Sequence, residues 1–235
     1  MDYRVKTGDV HYFLCTTIVF LIFLFIPCLT SDAQNQQAVF ENLSNRNGIS
    51  QSNINDILQD RNGFLWFATY DGLNKYDGYT YKVYRRNQED KTTLSSNGII
   101  KLFEDKNGYL YFGTNTTGVV LHDPRTEEFT NYQHNQNDPE SIGGNTVYYI
   151  TQDSKDNIWM CADNTLNLFI LSDTEKGQKG KFKQYRNENS TINISCIYED
   201  SRGSLLVFSD SLLILDPELD CLVNTSVPLY NTLVI

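Results

Sequence analysis

The sequence is poor in the residues on which catalysis and metal binding most often depend. Histidine occurs 3 times among 235 residues, and the 5 cysteines include no Cys-x-x-Cys pair. The patterns His-x-x-x-His, Gly-x-Ser-x-Gly and the phosphate-binding P-loop are also missing. These gaps argue against a zinc centre, a serine hydrolase and a nucleotide-binding kinase core. We therefore expect a chain that is not an enzyme and that needs neither a metal nor another cofactor.

Positive charge and helical periodicity are scarce as well. The chain has 19 Lys and Arg residues against 29 Asp and Glu residues, a formal net charge of −10. Such a field repels phosphate backbones and anionic lipid surfaces. Beyond the N-terminus no stretch keeps apolar residues at helical spacing, whereas Tyr, Phe and Gly-containing turns recur. The sequence therefore argues against a nucleic-acid partner and predicts an all-β fold of many short strands.

The one long apolar run covers residues 12–29. Arg4 and Lys6 precede it, and a small-x-small cleavage site follows at residues 31–33. This arrangement predicts a signal peptide over residues 1–33. The run is also long enough to act as an uncleaved signal anchor. Both alternatives export the rest of the chain, so we expect a periplasmic location.

A pattern that recurs four times carries most of the information. An apolar run ends at an Asp, a Gly or Asp follows three residues later, and a large apolar residue follows six residues after the first Asp. The turn aspartates are separated by 45, 48 and 47 residues. Each copy predicts a β-hairpin whose Asp stabilises the turn, because the oxygen ligands that a calcium loop needs are missing. The residues that we assign to this structural pattern are Asp60, Gly63, Trp66, Asp105, Gly108, Tyr111, Asp153, Trp159, Asp200 and Gly203.

Two further strand-like runs follow each hairpin. In the first repeat the four runs lie at residues 54–58, 64–69, 72–76 and 80–84. Four short strands at a period of about 40 to 50 residues are typical of a β-propeller blade, and blades must stack on each other to bury both faces. We predict four blades, at about residues 53–84, 97–132, 145–185 and 193–224.

The predicted blades do not complete a ring. Residues 38–43 match the outer strand of a blade without inner strands before them, and residues 231–235 match the first strand of a further blade. Ring closure removes exposed strand edges. We therefore expect residues 38–235 to form an incomplete propeller, as a fragment or an early-terminated product.

The motif within the repeats resembles that of a known family. The segment Asp-x-x-Gly-x-Leu-[Trp/Tyr] occurs at residues 60–66 and 105–111, and Gly-[Leu/Val]-x-x-[Tyr/His]-Asp follows at residues 72–77 and 118–123. This combination resembles the two-component regulator propeller repeat. The region from about residue 38 onwards is similar to the start of the periplasmic sensor of a hybrid two-component histidine kinase.

The resemblance implies a function and partners. A sensor of this family is expected to bind a ligand outside the cytoplasm and to regulate a kinase across the inner membrane. It implies that the parent protein has more blades, a small β-sandwich domain, a membrane span and the kinase. It also implies a homodimer.

The sequence predicts a ligand-binding face at one end of the blades. In an up-and-down blade, the loop between the second and third strands lies on the same side as the connector to the next blade. Polar groups on these loops and connectors suit an oligosaccharide or another small polar ligand. The candidate ligand-binding residues are Tyr70, Asp71, Asn115, Thr116, Asp163 and Asn164. The alternative is an exported propeller enzyme acting on polysaccharide, either a lyase or a glycoside hydrolase, with carboxylate, Tyr or His groups around the axis.

Several other conspicuous residues are better explained by packing than by chemistry. The cysteines beyond the apolar run lie in or beside strand-like segments, where free thiols pack as small apolar groups. We also expect the tryptophans and His122 to lie in the core, and a recurrent Asn to fix the start of each first strand. These residues are Cys161, Cys196, Cys221, Trp66, Trp159, His122, Asn53, Asn97, Asn145 and Asn193.

Overall fold

The computed structural model describes residues 48–90, 92–171, 180–186, 194–209, 211–216 and 220–224. Within these residues the chain forms sixteen β-strands and no helix. No helix long and apolar enough to cross a membrane is found in this part of the chain. The predicted signal peptide (1–33), outer strand (38–43) and further blade (231–235) lie outside the described residues and stay predictions.

The strands form four antiparallel sheets, each with its strands in chain order. We call the sheets blades 1 to 4. Blade 1 contains β1 (Ile54–Gln59), β2 (Leu65–Thr69), β3 (Gly72–Tyr76) and β4 (Tyr81–Tyr84); blade 2 contains β5 (Ile99–Glu104), β6 (Leu110–Thr114), β7 (Val119–Asp123) and β8 (Glu128–Tyr132); blade 3 contains β9 (Val147–Gln152), β10 (Ile158–Ala162), β11 (Thr165–Ile170) and β12 (Lys181–Tyr185); blade 4 contains β13 (Cys196–Glu199), β14 (Leu205–Phe208), β15 (Leu212–Asp216) and β16 (Cys221–Asn224). The all-β prediction is confirmed.

The first hairpin of each blade turns at the repeated Asp. The residue three positions after it has a φ of +87°, +89°, +72° and +80° in blades 1 to 4. Gly63, Gly108 and Gly203 occupy three of these positions, because glycine adopts a positive φ without strain. Asp156 occupies the fourth, and Asp tolerates this conformation better than most residues.

The core lies between consecutive blades. Trp66 of blade 1 packs in one buried cluster with Phe112 of blade 2. A second cluster joins blades 2 and 3, and a third joins blade 3, through Trp159, to Val207 of blade 4. Among the described residues no such cluster links blade 1 to blade 4, and the ring is not closed.

The three described cysteines do not share one environment. Cys161 is buried, Cys196 is partly buried and Cys221 is exposed. The prediction that all three pack in the core is therefore wrong for Cys221. This residue begins β16, the outermost strand of blade 4, and the pleat directs its side chain away from the sheet face that packs on blade 3.

Candidate functional site

The loops between second and third strands are hydrogen-bonded to the start of the next blade. Gly72 donates its N–H to the carbonyl of Asn97, and Gly118 to that of Asn145, each at 2.8 Å. Gly118 has a φ of +82°, and a Cβ there would lie 2.1 Å from the carbonyl oxygen of Tyr132, so only glycine allows this approach. We call this end of the blades the loop rim, defined by residues 70–72, 97–98, 115–118, 145–146 and 163–164.

Asn115 is part of the support of the rim. Its N–H donates to the Gly98 carbonyl at 3.0 Å, and its carbonyl accepts the Thr146 hydroxyl at 3.2 Å. A Cβ at Gly98 would lie 2.3 Å from the side-chain oxygen of Asn115. Asn115 therefore links the start of its own blade to the start of the next one.

Asp163 has a similar supporting position in blade 3, where it adopts a φ of +47°. Its N–H donates to the Thr146 carbonyl at 3.0 Å. Its carboxylate accepts the Asn145 N–H at 2.8 Å, and its carbonyl accepts the Tyr148 hydroxyl at 2.6 Å. The bond from Asn145 thus occupies one carboxylate oxygen of Asp163, and the other two bonds fix its backbone.

Asp71 fixes the beginning of the connector between blades 1 and 2. Its carboxylate forms an ion pair with Arg85 at 2.9 Å, and both side chains are about half exposed. The hydrogen bond that Arg85 donates to the Asp71 carboxylate raises the pKa of Arg85. Asp71 also donates its N–H to the Thr69 hydroxyl at 3.0 Å. Three of the six candidate residues, Asp71, Asn115 and Asp163, thus hold loops in place.

The other three candidates present polar groups to solvent. Tyr70 is 54% exposed, and its backbone is fixed by an N–H bond to Gln51 at 3.0 Å. Thr116 and Asn164 are exposed; the Thr116 hydroxyl donates to the side chain of Asn115 at 3.3 Å and keeps its lone pairs free to accept. Blades 1, 2 and 3 each contribute one of these residues.

Polar residues of the connectors form hydrogen bonds within the connectors themselves. The connectors between blades 1 and 2 and between blades 2 and 3 are each closed by a bond from an Asn N–H to a Thr or Ser hydroxyl six residues later. Some of their polar groups are therefore used inside the connector. These bonds join Asn87 to Thr93 at 2.9 Å and Asn135 to Ser141 at 3.0 Å.

The recurrent asparagines behave as starting points of the first strands. The side-chain oxygens of Asn97 and Asn145 accept a connector N–H at 2.7 Å and 3.0 Å. Asn53 is exposed, and Asn193 lies outside the described residues. In blades 2 and 3 this Asn therefore ties the end of the connector to its beginning.

Sequence reasoning missed a second set of asparagines. Each lies within a strand and accepts an N–H from the segment that precedes its blade, and Asn74 and Asn167 are fully buried. A polar residue inside an apolar strand is the signal that could have revealed them, because a buried amide requires partners. The bonds join Asn74 to Ser50 (2.8 Å), Asn131 to Ser95 (3.0 Å) and Asn167 to Gly143 (2.7 Å).

The turn aspartates lie at the opposite end of the blades. The Asp60 carboxylate accepts the N–H groups of Asn62 and Phe64 at 2.9 Å and 3.0 Å and the Trp66 indole at 2.8 Å. Asp153 repeats this pattern with Trp159. Burial alone would raise the pKa of Asp153, but these hydrogen bonds hold it below its ordinary value.

No group of three or more His, Cys, Asp or Glu side chains that could hold a metal ion occurs in the part of the chain that the structure describes. The carboxylates of the turn motif are instead occupied by backbone and side-chain donors. Asp105, for example, accepts the Tyr111 hydroxyl at 3.2 Å.

Comparison with known proteins identifies this pattern. The family model described as two component regulator propeller matches residues 48–71 and 93–116. Two segments of this chain thus match the two-component regulator propeller repeat. Histidine kinase P4 of Formosa agariphila is 47% identical over 76 residues, which are 32% of this chain and 6% of that kinase.

Two solved structures share the propeller fold with these repeats. One is the extracellular domain of BT3049 from B. thetaiotaomicron, whose name assigns it to a hybrid two component system; it has a TM-score of 0.51 and 22% identity over 78% of this chain and 31% of that chain. The other is virginiamycin B lyase from Staphylococcus aureus, with a TM-score of 0.55 and 14% identity over 74% of this chain and 55% of that chain. This chain therefore spans less than two thirds of each.

The described histidines do not lie on the loop rim of the repeats. His122 is fully buried in blade 2, stacked on Phe129 with ring centroids 4.6 Å apart, and burial lowers its pKa. His134 lies in a connector, where its ring Nδ1 is 2.7 Å from the Ile142 carbonyl. Both rings are thus engaged in packing or loop structure.

Proposed function

We propose that these repeats form an extracytoplasmic sensor module of a two-component signalling protein, and that the loop rim binds a neutral carbohydrate-type ligand. The observation that carries this proposal is that the candidate residues of the rim fall into two groups, one exposed and one held by hydrogen bonds. Tyr70, Thr116 and Asn164 face solvent on three successive blades, while the residues next to them are held by hydrogen bonds.

The exposed groups suit a sugar. A Tyr ring offers an apolar face for the C–H side of a pyranose, and Thr and Asn supply both donors and acceptors for hydroxyl groups. A rim whose loops are already fixed loses little conformational entropy on binding. The net charge of −10 favours neutral sugars over uronic acid polymers.

The proposed signalling context rests on the relatives. Two of the similar proteins are named as a histidine kinase and as part of a hybrid two component system. We infer that a longer protein links these repeats to further blades and to a kinase at the inner membrane, acting as a homodimer. The apolar run at residues 12–29 supports export of the chain.

The second candidate is an exported propeller enzyme that cleaves polysaccharide. Its support is the fold shared with virginiamycin B lyase. Such an enzyme needs a positioned acid or base. The two candidate carboxylates of the rim, Asp71 and Asp163, are engaged in supporting bonds, which favours the sensor.

A thermal-shift titration tests the sensor proposal. The purified chain is titrated with xylo-, cello-, malto- and laminari-oligosaccharides and with oligogalacturonate as the acidic comparison. We expect one neutral series to raise the melting temperature saturably. Tyr70→Ala should abolish that rise, whereas Tyr79→Ala should keep it, because Tyr79 is 92% exposed at the opposite end of blade 1.

The titration also distinguishes the two candidates. A response to no neutral sugar, or an equal response of the two tyrosine variants, would contradict binding on the rim. Chromatography of the sugars after incubation detects shortened products, which would favour the enzyme.

A further inference from the structure

A cleft between blades 1 and 2 contains two lysines that lie opposite each other. Lys75 of β3 pairs directly with Lys82 of β4, and like charges in such a pair destabilise a sheet. Both ammonium groups share the carboxylate of Glu127 from blade 2, at 3.6 Å and 3.4 Å. These distances exceed the about 2.7 to 2.9 Å that is usual for a charge-assisted hydrogen bond. Glu127 therefore holds the two positive charges only loosely.

Lysine at the position of Lys75 occurs in blade 1 alone. In every blade this residue pairs across the sheet with the residue six positions after the turn Asp. Blades 2 to 4 have Leu121, Leu168 and Ile214 there. In blade 3 the opposite residue is again a lysine, Lys183. An apolar residue thus satisfies the fold at this position, so packing alone does not explain Lys75.

The ammonium group of Lys75 is largely enclosed but has few polar partners. Its side chain is 16% exposed, and the ammonium group lies 4.2 Å and 5.1 Å from the ring centroids of Phe64 and Trp66. Among the described residues its one polar contact is the ion pair with Glu127. An ammonium group has three N–H donors, and a partly buried charge is costly without partners. Lys75 can therefore donate to a further acceptor.

The second carboxylate of the cleft is used by its own turn. Asp77 accepts the N–H groups of Tyr79 and Thr80 at 2.8 Å and 2.6 Å, and the Thr80 hydroxyl at 3.0 Å. These hydrogen bonds, above all the one from the Thr80 N–H, lower the pKa of Asp77. Asp77 thus does not supply the acceptor that the lysines lack.

These residues surround a cavity at the end of the blades opposite the loop rim. Its volume is about 480 Å³, which lies within the usual range of small-molecule sites. Blades 1 and 2 form it, and the structure describes them over residues 48–90 and 92–132. The cavity therefore does not depend on blades outside this pair. Its lining residues are Phe64, Lys75, Asp77, Thr80, Lys82 and Glu127.

We propose that this cavity binds a small organic ligand through one carboxylate group, which accepts hydrogen bonds from Lys75 and Lys82. Glu127 competes with the ligand for both lysines. The two lysines and the two acidic residues of the cavity sum to zero charge, so a single negative charge fits better than a phosphate dianion. The chain's net charge of −10 acts weakly here, because charges more than about 8 Å away are largely screened at physiological ionic strength. The site is separate from the rim and goes beyond the proposed function.

Isothermal titration calorimetry of the purified full chain tests this site. The probes are acetate, propionate and phenylacetate, with propionamide and phenylacetamide as uncharged counterparts and inorganic phosphate as the dianion, all at an ionic strength held constant with sodium chloride. We expect saturable binding of at least one carboxylate, weaker binding of phosphate and no binding of the amides. The amides keep the shape of the acids but lack the charge.

Substitution of the lysines should remove the binding. Lys75→Leu and Lys82→Thr introduce the residues that blades 3 and 2 have at these positions, which keeps the fold. Each should weaken carboxylate binding at least about tenfold, because an ammonium donor is lost. Lys183→Met is the matched control. Lys183 has the position of Lys82 in blade 3 but lies opposite Leu168, so its removal should leave binding unchanged.

The competing role of Glu127 gives a change of opposite sign. Glu127→Gln should strengthen carboxylate binding about threefold or more, because the charge that competes for the lysines is removed. Glu128→Gln removes the same charge from the neighbouring position and should have no effect.

Three results would overturn the proposal. Absence of saturable binding for all the carboxylates would show that the cavity does not take this class of ligand. Equal affinity of the original chain and Lys75→Leu, with unchanged circular dichroism, would place any binding elsewhere. Tighter binding of phosphate than of every carboxylate would contradict the assignment of a single negative charge.

Discussion

The contact between blades 1 and 2 and the contact between blades 3 and 4 share one plan. In each, a Trp packs against a Tyr of the same blade, with ring centroids 5.8 Å and 5.7 Å apart. A Lys two residues before that Tyr pairs with an acidic residue of the next blade, which has a positive φ of 60° or 53°. The pairs are Lys82 with Glu127 and Lys183 with Asp220.

The side chains packed around the Trp differ between the two contacts. Around Trp66 lie the rings of Phe112 and His122, with centroids 5.5 Å and 5.7 Å away. Trp159 instead packs among aliphatic side chains such as Leu205, beside a cavity of about 440 Å³ that it lines together with Leu215. We call the pair of a Lys and an acidic residue of the next blade the clamp. Both contacts keep the clamp, while the side chains of their cores differ, as expected where the total volume of a core matters more than the identity of its residues.

Removal of the tryptophans should have the largest effect. Trp66→Ala should lower the free energy of unfolding by about 4 to 5 kcal/mol and Trp159→Ala by about 3 kcal/mol, because the second site already borders a cavity and loses fewer contacts. Urea unfolding measures both values. Leu206→Ala, at the same position of blade 4, is the control and should cost less than either. An equal or larger loss for Trp159→Ala would remove the distinction between the two cores.

The turn aspartates allow a second comparison, between blades 3 and 4. Asp153 accepts the Trp159 indole and the Asn157 amide, each at 2.8 Å, whereas the described partners of Asp200 are two N–H groups of its own turn. Asp153→Asn should cost about 1.5 to 3 kcal/mol, and Asp200→Asn should cost less. Chemical denaturation at pH 7 gives both values, and a larger loss for Asp200→Asn would contradict the prediction.

The pH dependence of the Asp153 variant provides a further check. The folded-state pKa of Asp153 lies below its ordinary value of 3.8, so its contribution to stability is fully present above that value. The contribution is lost as the pH falls through the lower folded-state pKa. Asp153→Asn should therefore have a flatter dependence of stability on pH below about 4.

The sequence predicted the fold well because the signals for it are local. In blade 1 the predicted strands at residues 54–58, 64–69, 72–76 and 80–84 agree with the structure to within one residue, since a turn Asp and a glycine define each hairpin. Which rim residues are exposed and which form supporting hydrogen bonds could not be predicted in this way. Whether the side chain of Asp163 is free depends on the N–H of Asn145, eighteen residues earlier, and this approach exists only once β9 and β10 of blade 3 have paired.

His122 distinguishes the first contact from the second, where Leu215 has the equivalent position before the same Asp-Pro pair of the sequence. Burial lowers the pKa of His122, so the unfolded chain gains the proton first as the pH falls below about 6.5. Stability should then fall by up to about 1.4 kcal/mol per pH unit until the folded-state pKa is reached.

His122→Leu should remove this loss between pH 6.5 and the folded-state pKa while leaving stability at pH 7.5 equal or higher. The reason is that the ring Nε2 is buried without a hydrogen-bond partner in the described residues. Thermal unfolding over pH 4.5 to 7.5 measures the difference. Parallel curves for the two proteins would show that His122 titrates alike in the folded and unfolded states.

The smallest loss of stability is expected when the clamp between blades 1 and 2 is broken at Glu127. Glu127 is about half exposed and lies 3.6 Å from Lys75 and 3.4 Å from Lys82, so Glu127→Gln should cost no more than about 1 kcal/mol at low salt. Glu128→Gln removes the same charge from the neighbouring position and should change nothing. Because salt screens exposed pairs, the cost of Glu127→Gln should disappear in 1 M NaCl. A cost that persists there would mean that the clamp acts through packing around the Lys75 ammonium group, which lies 4.2 Å from the centroid of the Phe64 ring, rather than through charge.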